Sequence, residues 1–465
     1  MNAMVWFSKD LRVHDNEALF HALHNHERVI GVVNIHDLNK KTSFGFEKMA
    51  WPKRHFLHET LLDLEASLAE LNVPLIVKNT ETKALLNTVI KRYDISDIYY
   101  HYEVGEEERN IRTTLKKYGP NHHHVYFTKS LIHPKDLSFP IESMPHVFTH
   151  FRKTVEKDLT IRPVFKTPPK RLEKLPLLKD DARWPDFSLC EDKTIPFKGG
   201  EQAGLKRLKY YIKSRAIDQY KTTRNNMVAF DASTKFSPYL AMGALSPRMV
   251  YKTIKDYEDI HGANESTYFV IFELLWRDFF TFIHMKYGNA IFKSGGIMNQ
   301  SLPWVRNHAH FKAWCDGLTG YPLVDAAMRE LKTTGFMSNR ARQNVASFLT
   351  KNLAIDWRMG AEWFESFLID HDSSSNYGNW NYIAGIGNDR REFRYFNVMT
   401  QGKRYDPKGE FVHCFVEELR SIDGTMVYDI PTLGSAFVNG LAPNYVSPIV
   451  SFHESIEARK KMLNH

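Results

Sequence analysis

The chain has 465 residues, 43% hydrophobic and 25% charged, which excludes a disordered polymer and makes two large domains the natural expectation. Lys and Arg outnumber Asp and Glu, 62 against 54, and the formal charge of +8 is compatible with an anionic partner such as nucleic acid. Cys190, Cys315 and Cys414 build neither a zinc spacing nor a disulfide framework, and no apolar stretch approaches the ~20 residues needed to cross a bilayer.

The first third alternates short β-branched runs with amphipathic stretches. Met4–Phe7, Val29–Ile35, Pro74–Val77, Asp97–Tyr102 and His124–Phe127 read as strands. Arg54–Leu71 and Glu81–Arg92 carry apolar residues at helical spacing between them. Strand–helix alternation implies a parallel, doubly wound α/β sheet. No G-x-G-x-x-G follows the first strand, where the turn reads Ser8-Lys9-Asp10-Leu11-Arg12, so a nicotinamide-type site there is disfavoured. Prolines and charges then cluster, as in Thr167-Pro168-Pro169-Lys170 and Leu175-Pro176-Leu177. We therefore read an α/β domain over 1–130, an interdomain linker over 131–199 and a helical domain over 200–465. In the last, Glu201–Ser214, Ser246–Tyr257, Ser266–Tyr287, Tyr321–Lys332, Ser338–Lys351 and Ala361–Leu368 are the predicted helices, enough to enclose a large cofactor.

Four segments of this helical half carry chemistry. Ser233-Thr234-Lys235-Phe236-Ser237 sets hydroxyls and a Lys before an apolar helical stretch, which suits phosphate oxygens or an ordinary cap. Glu273, Trp276 and Arg277 share a helix face, a carboxylate, an indole and a guanidinium within one turn. Ser338 is a plausible N-cap for a helix whose first turns carry Asn339, Arg342 and Gln343 on one face. Asp370-His371-Asp372 followed by Ser373 to Tyr382 reads as a structured binding loop, with no ligand cluster nearby to make it a metal site. Aromatic residues reach 13%, fitting a bulky core or a protein that stacks flat ligands and moves electrons.

In order and content these segments resemble the photolyase/cryptochrome family. The resemblance rests on Trp6 to Asn16 (WFSKDLRVHDN), Leu245-Ser246-Pro247-Arg248, Gly320 to Arg329 (GYPLVDAAMR), Ala346-Ser347-Phe348-Leu349, Phe396-Asn397 and Tyr405 to Glu410 (YDPKGE), and it covers essentially the whole chain. It implies an N-terminal α/β antenna domain joined by a long linker to an all-α domain that binds FAD. By motif match, Tyr220, Ser233, Thr234, Phe236 and Ser237 would hold the phosphates and ribityl region. Arg277, Asn339, Arg342, Asp370, Asp372 and Asn376 would line the ring system, Asn376 facing flavin N5 and Arg342 pairing with Asp370. Trp380, Trp357 and Trp304 match the family's electron relay, from proximal to distal.

Glu273 and Trp276 match the residues that hydrogen-bond and stack a cyclobutane pyrimidine dimer, with Asn339, Arg340, Gln343 and Tyr382 completing the substrate set. Gln343 and Tyr382 stand where ordinary dimer photolyases carry Met and Trp, and the pair resembles the DASH branch. The two His of pyrimidine–pyrimidone photolyases are replaced by Asn339 and Gln343, which disfavours that chemistry. The resemblance thus implies light-driven repair of dimers, preferentially in single-stranded DNA, by electron transfer from photoexcited reduced FAD. Its alternative is a blue-light photoreceptor with little or no repair. A methenyltetrahydrofolate antenna is implied, with Glu103 or Glu106 as the pterin contact. Arg340 and Arg394 are candidates for phosphate contacts. The expected partner is DNA, with RNA or signalling proteins as alternatives, no membrane, and a monomer. No secretory signal follows Met1, so a soluble cytoplasmic protein is expected, or an organellar or nuclear one in a eukaryote.

Overall fold

A computed structural model describes residues 2–463 except 37, 121, 167–169, 171–172, 191, 389–392, 434–437 and 439. Thr167-Pro168-Pro169 of the linker reading lies outside the described residues. The chain forms two compact units, one of Met1–Asp218, Thr234–Gly288 and Ile369–Ser374, the other of Gln219–Ser233, Asn289–Leu368 and Ser375–His465.

The first unit is built on five parallel strands, β1 (Asn2–Phe7), β2 (Val29–Asn34), β3 (Leu75–Lys78), β4 (Ile95–His101) and β5 (His122–Tyr126), in the order β3-β2-β1-β4-β5. β1 is central, and Ala3 to Phe7 are buried at every position, which is why it reads as an unbroken apolar run. Helices α1 (Glu17–Asn25), α2 (Trp51–Glu70), α3 (Thr82–Tyr93) and α4 (Glu106–Tyr118) connect the strands. The parallel sheet is the one predicted, but the sequence reading missed α1 and α4. In α4 only Leu115 is buried, so its apolar periodicity is faint, and its ends are marked instead by Glu106 to Glu108 at the N-terminus and Lys116 and Lys117 at the C-terminus. Further along the unit lie α5 (Phe148–Val155), α6 (Glu201–Lys213), α7 (Pro247–His261) and α8 (Glu265–Tyr287).

The first turn after β1 is a polar hub. Asp10 meets His101 at 2.6 Å, and Arg12 donates to the carbonyls of His14, Asp15 and Gly243. Glu201 accepts from Val13 N and His14 N, and Arg248 forks onto Asp15 at 2.6 and 3.0 Å. Gly243 has φ +68 and a Cβ there would lie 1.9 Å from Lys9 O, so only glycine admits this approach. The hub ties the β1–α1 turn to the start of α7 through paired, hydrogen-bonded buried charges.

The second unit is helical: α9 (His308–Asp316), α10 (Pro322–Thr334), α11 (Asn339–Ser347), α12 (Trp357–Phe367), most of α13 (Ser373–Ala384), α14 (Val398–Tyr405) and α15 (Phe452–Leu463). Asp325 in α10 accepts from Thr319 N, Thr319 Oγ1, Gly320 N and Tyr445 Oη, which explains the GYPLVDAAMR motif as a packed helix start. The helix predicted over Ser338–Lys351 is α at first and widens into a π turn over Phe348–Asn352. The predicted loop after Asp372 is instead α13. Its weak helix formers are held by tertiary bonds, Asn381 Nδ2 to Ile291 O at 2.9 Å and Ile297 N to Asn381 Oδ1 at 3.0 Å. Among the described residues no helix is long and apolar enough to cross a membrane.

Candidate functional site

The predicted site residues divide between the two units of the chain. In the first, α8 presents Glu273, Trp276 and Arg277 half-buried within one turn. The Trp276 ring stacks on Phe148 of α5 at 3.7 Å with an 11° tilt, so its plane is fixed by packing. Arg277 donates to the carbonyls of Lys129 and Leu240. The next residue, Asp278, is buried and accepts from Leu131 N and Ile132 N at 2.9 and 2.8 Å, clamping the 129–132 segment to α8. Burial, only partly offset by those bonds and by Arg277, pushes its carboxyl up to about 7.

Ser237 donates to Asp370 Oδ2 at 2.7 Å, bringing the hydroxyl segment to the Asp-His-Asp motif. Thr234 accepts the Arg207 Nε donor through its carbonyl at 2.9 Å, Phe236 is buried against Tyr211, and the intervening Lys235 turns the chain at φ 56. Asp372 meets Lys129 Nζ at 2.6 Å, and the same ammonium reaches Glu103 Oε2 at 3.1 Å. Both carboxylates are buried and the Lys129 side chain is 10% exposed, so one cation joins two carboxylates largely away from water. Burial raises the Glu103 carboxyl against the pull of Lys129. Glu106 stands outside this cluster, in the first turn of α4. His284 of α8 meets the Ser374 hydroxyl at 2.9 Å, and burial pushes its imidazole down to about 4.

In the second unit, Ser338 caps α11 as predicted, accepting from Ala341 N at 3.2 Å. Asn339 is exposed, and Arg340, Arg342 and Gln343 are half-buried. Arg340 donates to Gln343 Oε1 and Asn225 Oδ1 and lies 4.7 Å over the Tyr405 ring, while Arg342 donates to Met337 O. Burial lowers Arg340, Tyr405 opposes, and the positive fields of Arg224, Arg394 and Arg404 lower it further. These guanidiniums concentrate positive charge here, a field that favours anions. Sequence reasoning named Arg340 and Arg394 but not Arg224 or Arg404, which sit far apart along the chain and carry no motif.

Tyr220 is buried and Ser233 half-buried beside the Thr223 Oγ1 to Ala232 O bond. Asn376 gives Nδ2 to Ala361 O at 2.9 Å, which turns Oδ1 away from α12, and Tyr382 is half-buried one turn and a half further along α13. Trp380 and Trp357 are buried and Trp304 is half-buried. Trp380 packs against Phe364 at 5.2 Å and Trp314 at 6.4 Å, and Trp357 donates Nε1 to Ser294 O at 3.0 Å. Trp314, fully buried with Nε1 on Val345 O, is an aromatic neighbour the sequence reading missed, since nothing around Ala313-Trp314-Cys315 marks it.

These side chains supply hydroxyl and guanidinium donors, an oriented amide, paired carboxylates and an aromatic-rich interior. That is the donor chemistry FAD requires, with phosphates, ribityl hydroxyls and a flat heteroaromatic ring to be met.

Residues 3–173 match the family model described as DNA photolyase, and residues 269–465 match the one described as FAD binding domain of DNA photolyase. The parallel sheet, the helical second unit and both matches define the class as photolyase/cryptochrome. The chain is 44% identical to cryptochrome DASH of Synechocystis sp., covering 99% of this chain and 97% of that protein, and 42% identical to cryptochrome DASH of Gloeobacter violaceus, covering 99% and 95%. The crystal structure of the Synechocystis sp. cryptochrome superposes with a TM-score of 0.91 at 43% identity over 99% of both chains. The chain belongs to the cryptochrome DASH family.

Proposed function

We propose that this protein splits cyclobutane pyrimidine dimers under blue light, preferring single-stranded DNA. The observation that carries the reading is the α8 face. There a carboxylate, an indole and a guanidinium stand within one turn, and the indole plane is fixed by Phe148 at 3.7 Å. In this reading Trp276 stacks on the dimer and Glu273 hydrogen-bonds it, with Asn339, Arg340, Gln343 and Tyr382 as further contacts. The guanidinium group around Arg340 supports a phosphate-tracking role, with the salt dependence such contacts bring. Extruding a dimer costs a few kcal/mol, less from a single strand. Tyr382 offers less stacking area than a Trp, which favours the cheaper substrate.

FAD, when bound, supplies the light-absorbing centre that donates an electron to the dimer and takes it back. Tyr220, Ser233, Thr234, Phe236 and Ser237 would hold its phosphates and ribityl chain. Arg277, Asn339, Arg342, Asp370, Asp372 and Asn376 would surround the ring, where the Arg charges would favour an anionic reduced form and the Asn376 amide would face N5. Trp380, Trp357 and Trp304 would refill an oxidised centre by passing electrons inward. A methenyltetrahydrofolate antenna would contact Glu103, whose carboxylate Lys129 already holds, with Glu106 as the alternative. We read 1–130 as the antenna domain, 131–199 as the linker and 200–465 as the flavin domain, acting as a monomer on DNA in the cytoplasm or an organelle.

The test is dimer loss from single- and double-stranded oligonucleotides, lit and dark. Light-dependent loss favouring the single strand is expected. Trp276→Ala should weaken dimer binding about tenfold, from ~1–3 kcal/mol of stacking, without changing the flavin spectrum. No light-dependent loss from either strand form overturns the repair reading in favour of a photoreceptor.

A further inference from the structure

Arg459 in α15 is a buried cation with little to balance it. Its side chain is 1% exposed, its Nη1 donates to Pro303 O, and Nε and Nη2 have no acceptor among the described residues. Burial alone pulls it down, to about 10, so it keeps its charge at neutral pH. Its guanidinium carbon stands 4.6 Å from the centre of the Trp304 ring. The Trp304 indole Nε1 is buried as well, again with no acceptor among the described residues.

For a neutral indole this is a favourable arrangement, because the ring face is electron-rich and attracts the cation. For an oxidised indole the sign reverses. The ring then carries a full positive charge a few ångströms from another one, in a place water screens poorly, and no carboxylate among the described residues pairs with Arg459 to soften the repulsion. An oxidised indole ordinarily escapes by releasing its Nε1 proton, and no acceptor meets Trp304 Nε1 among the described residues.

We propose that Arg459 makes Trp304 harder to oxidise and so shifts how an electron vacancy in the tryptophan series is shared between Trp304 and Trp357. The inference rests on the relay assigned above. The step concerned moves one electron from Trp304 to oxidised Trp357. Trp357 becomes a neutral indole again, and Trp304 takes the positive charge and keeps its proton. Arg459 opposes that transfer without abolishing it, so the vacancy spends a larger share of its time on Trp357, inside the protein, where it recombines sooner. Arg459 is a positioning residue in this scheme, acting through Trp304 and touching neither substrate nor cofactor.

Two measurements on the full flavin-loaded protein test this. Transient absorption after a blue pulse reads the share and lifetime of the Trp radical, and Arg459→Met should lengthen its survival roughly tenfold. In the dark, one-electron oxidation by azidyl radical followed by peptide mass spectrometry reads modification at Trp304, which Arg459→Met should raise by a similar factor. Arg459→Gln, which keeps a donor for Pro303 O without the charge, should behave like Arg459→Met and serves if the latter fails to fold. Arg459→Lys keeps the charge and should resemble the native protein in both readouts. If the neutral variants leave Trp304 oxidation and radical lifetime unchanged while Trp380→Phe slows flavin photoreduction, the inference is overturned and the relay stands. If Trp380→Phe leaves photoreduction unchanged, the relay fails, and the dark oxidation still decides whether Arg459 governs Trp304.

Discussion

Gly360 of α12 lies beneath the proximal tryptophan of the proposed relay, and one methyl group there tests how tightly that ring is held. A Cβ on Gly360 would sit 2.3 Å from Trp380 Cη2, 2.6 Å from Leu349 Cδ2 and 2.8 Å from Trp380 Cζ2. The Leu349 methyl ends a flexible side chain and can turn aside. The indole is 2% exposed in a packed interior and can only tilt as a whole. Gly360→Ala gains about 1 kcal/mol of helix propensity and loses about 1–3 kcal/mol to overpacking. The net is a destabilisation of about 0–2 kcal/mol. Trp380→Phe removes the two ring atoms that clash, so in that background Gly360→Ala should be neutral or stabilising. A double-mutant cycle by urea denaturation should therefore return a coupling of about 1–3 kcal/mol. Photoreduction of the flavin, followed by bleaching of its oxidised band, should slow in Gly360→Ala as the ring is pushed from its seat. If Gly360→Ala costs the same stability with and without the Trp380 indole, the contact does not set the ring position and the argument fails.

Two further predictions concern the first unit. Arg248→Met leaves the fully buried Asp15 carboxylate without its bidentate partner and should cost about 3–5 kcal/mol in chemical denaturation, with Arg248→Lys intermediate because an ammonium cannot fork; a loss under about 1 kcal/mol would show that the hub is not a clamp. His284 is held neutral, its pKa depressed to about 4 by burial first, with Lys129 and Arg109 adding and Asp372 opposing. A depressed folded pKa gives stability that is present above the unfolded value of about 6.5 and is lost as pH falls toward 4, up to about 3 kcal/mol here. His284→Gln should flatten the urea midpoint between pH 7 and 4.5, and equal slopes for the two proteins would refute the assignment.

Much of the architecture was legible because it rests on local patterns. A central parallel strand must be apolar on both faces, and Met4 to Phe7 are. Helices such as α3 bury Leu85, Leu86 and Val89 on one face and so announce their period. What stayed hidden follows from the same physics. α4 buries a single leucine, and its charge arrangement is a weaker signal than a stripe. Lys129, Arg459 and Arg404 look like ordinary basic residues along the chain, and only the fold shows Lys129 bridging two buried carboxylates, Arg459 buried and Arg404 beside other guanidiniums.

The most informative failure is α13. Ser373-Ser374-Ser375-Asn376-Tyr377-Gly378-Asn379-Trp380 is made entirely of weak helix formers, so its local preference is for a loop. It is helical because neighbours compensate: Asn381 bonds Ile291 O and receives Ile297 N, Tyr377 Oη reaches Glu365, and Asn376 is tied to Ala361 O. A segment kept helical against its own propensity has side chains chosen for something other than helix formation. Asn376, Trp380 and Tyr382 are three of the residues the family resemblance assigns to cofactor, electron transfer and substrate, and all lie on this helix. The place where local reading goes wrong therefore coincides with a helix that carries proposed cofactor, electron-transfer and substrate residues together. That is the expected pattern if the helix exists to present those groups at fixed spacing and the surrounding hydrogen bonds exist to hold it.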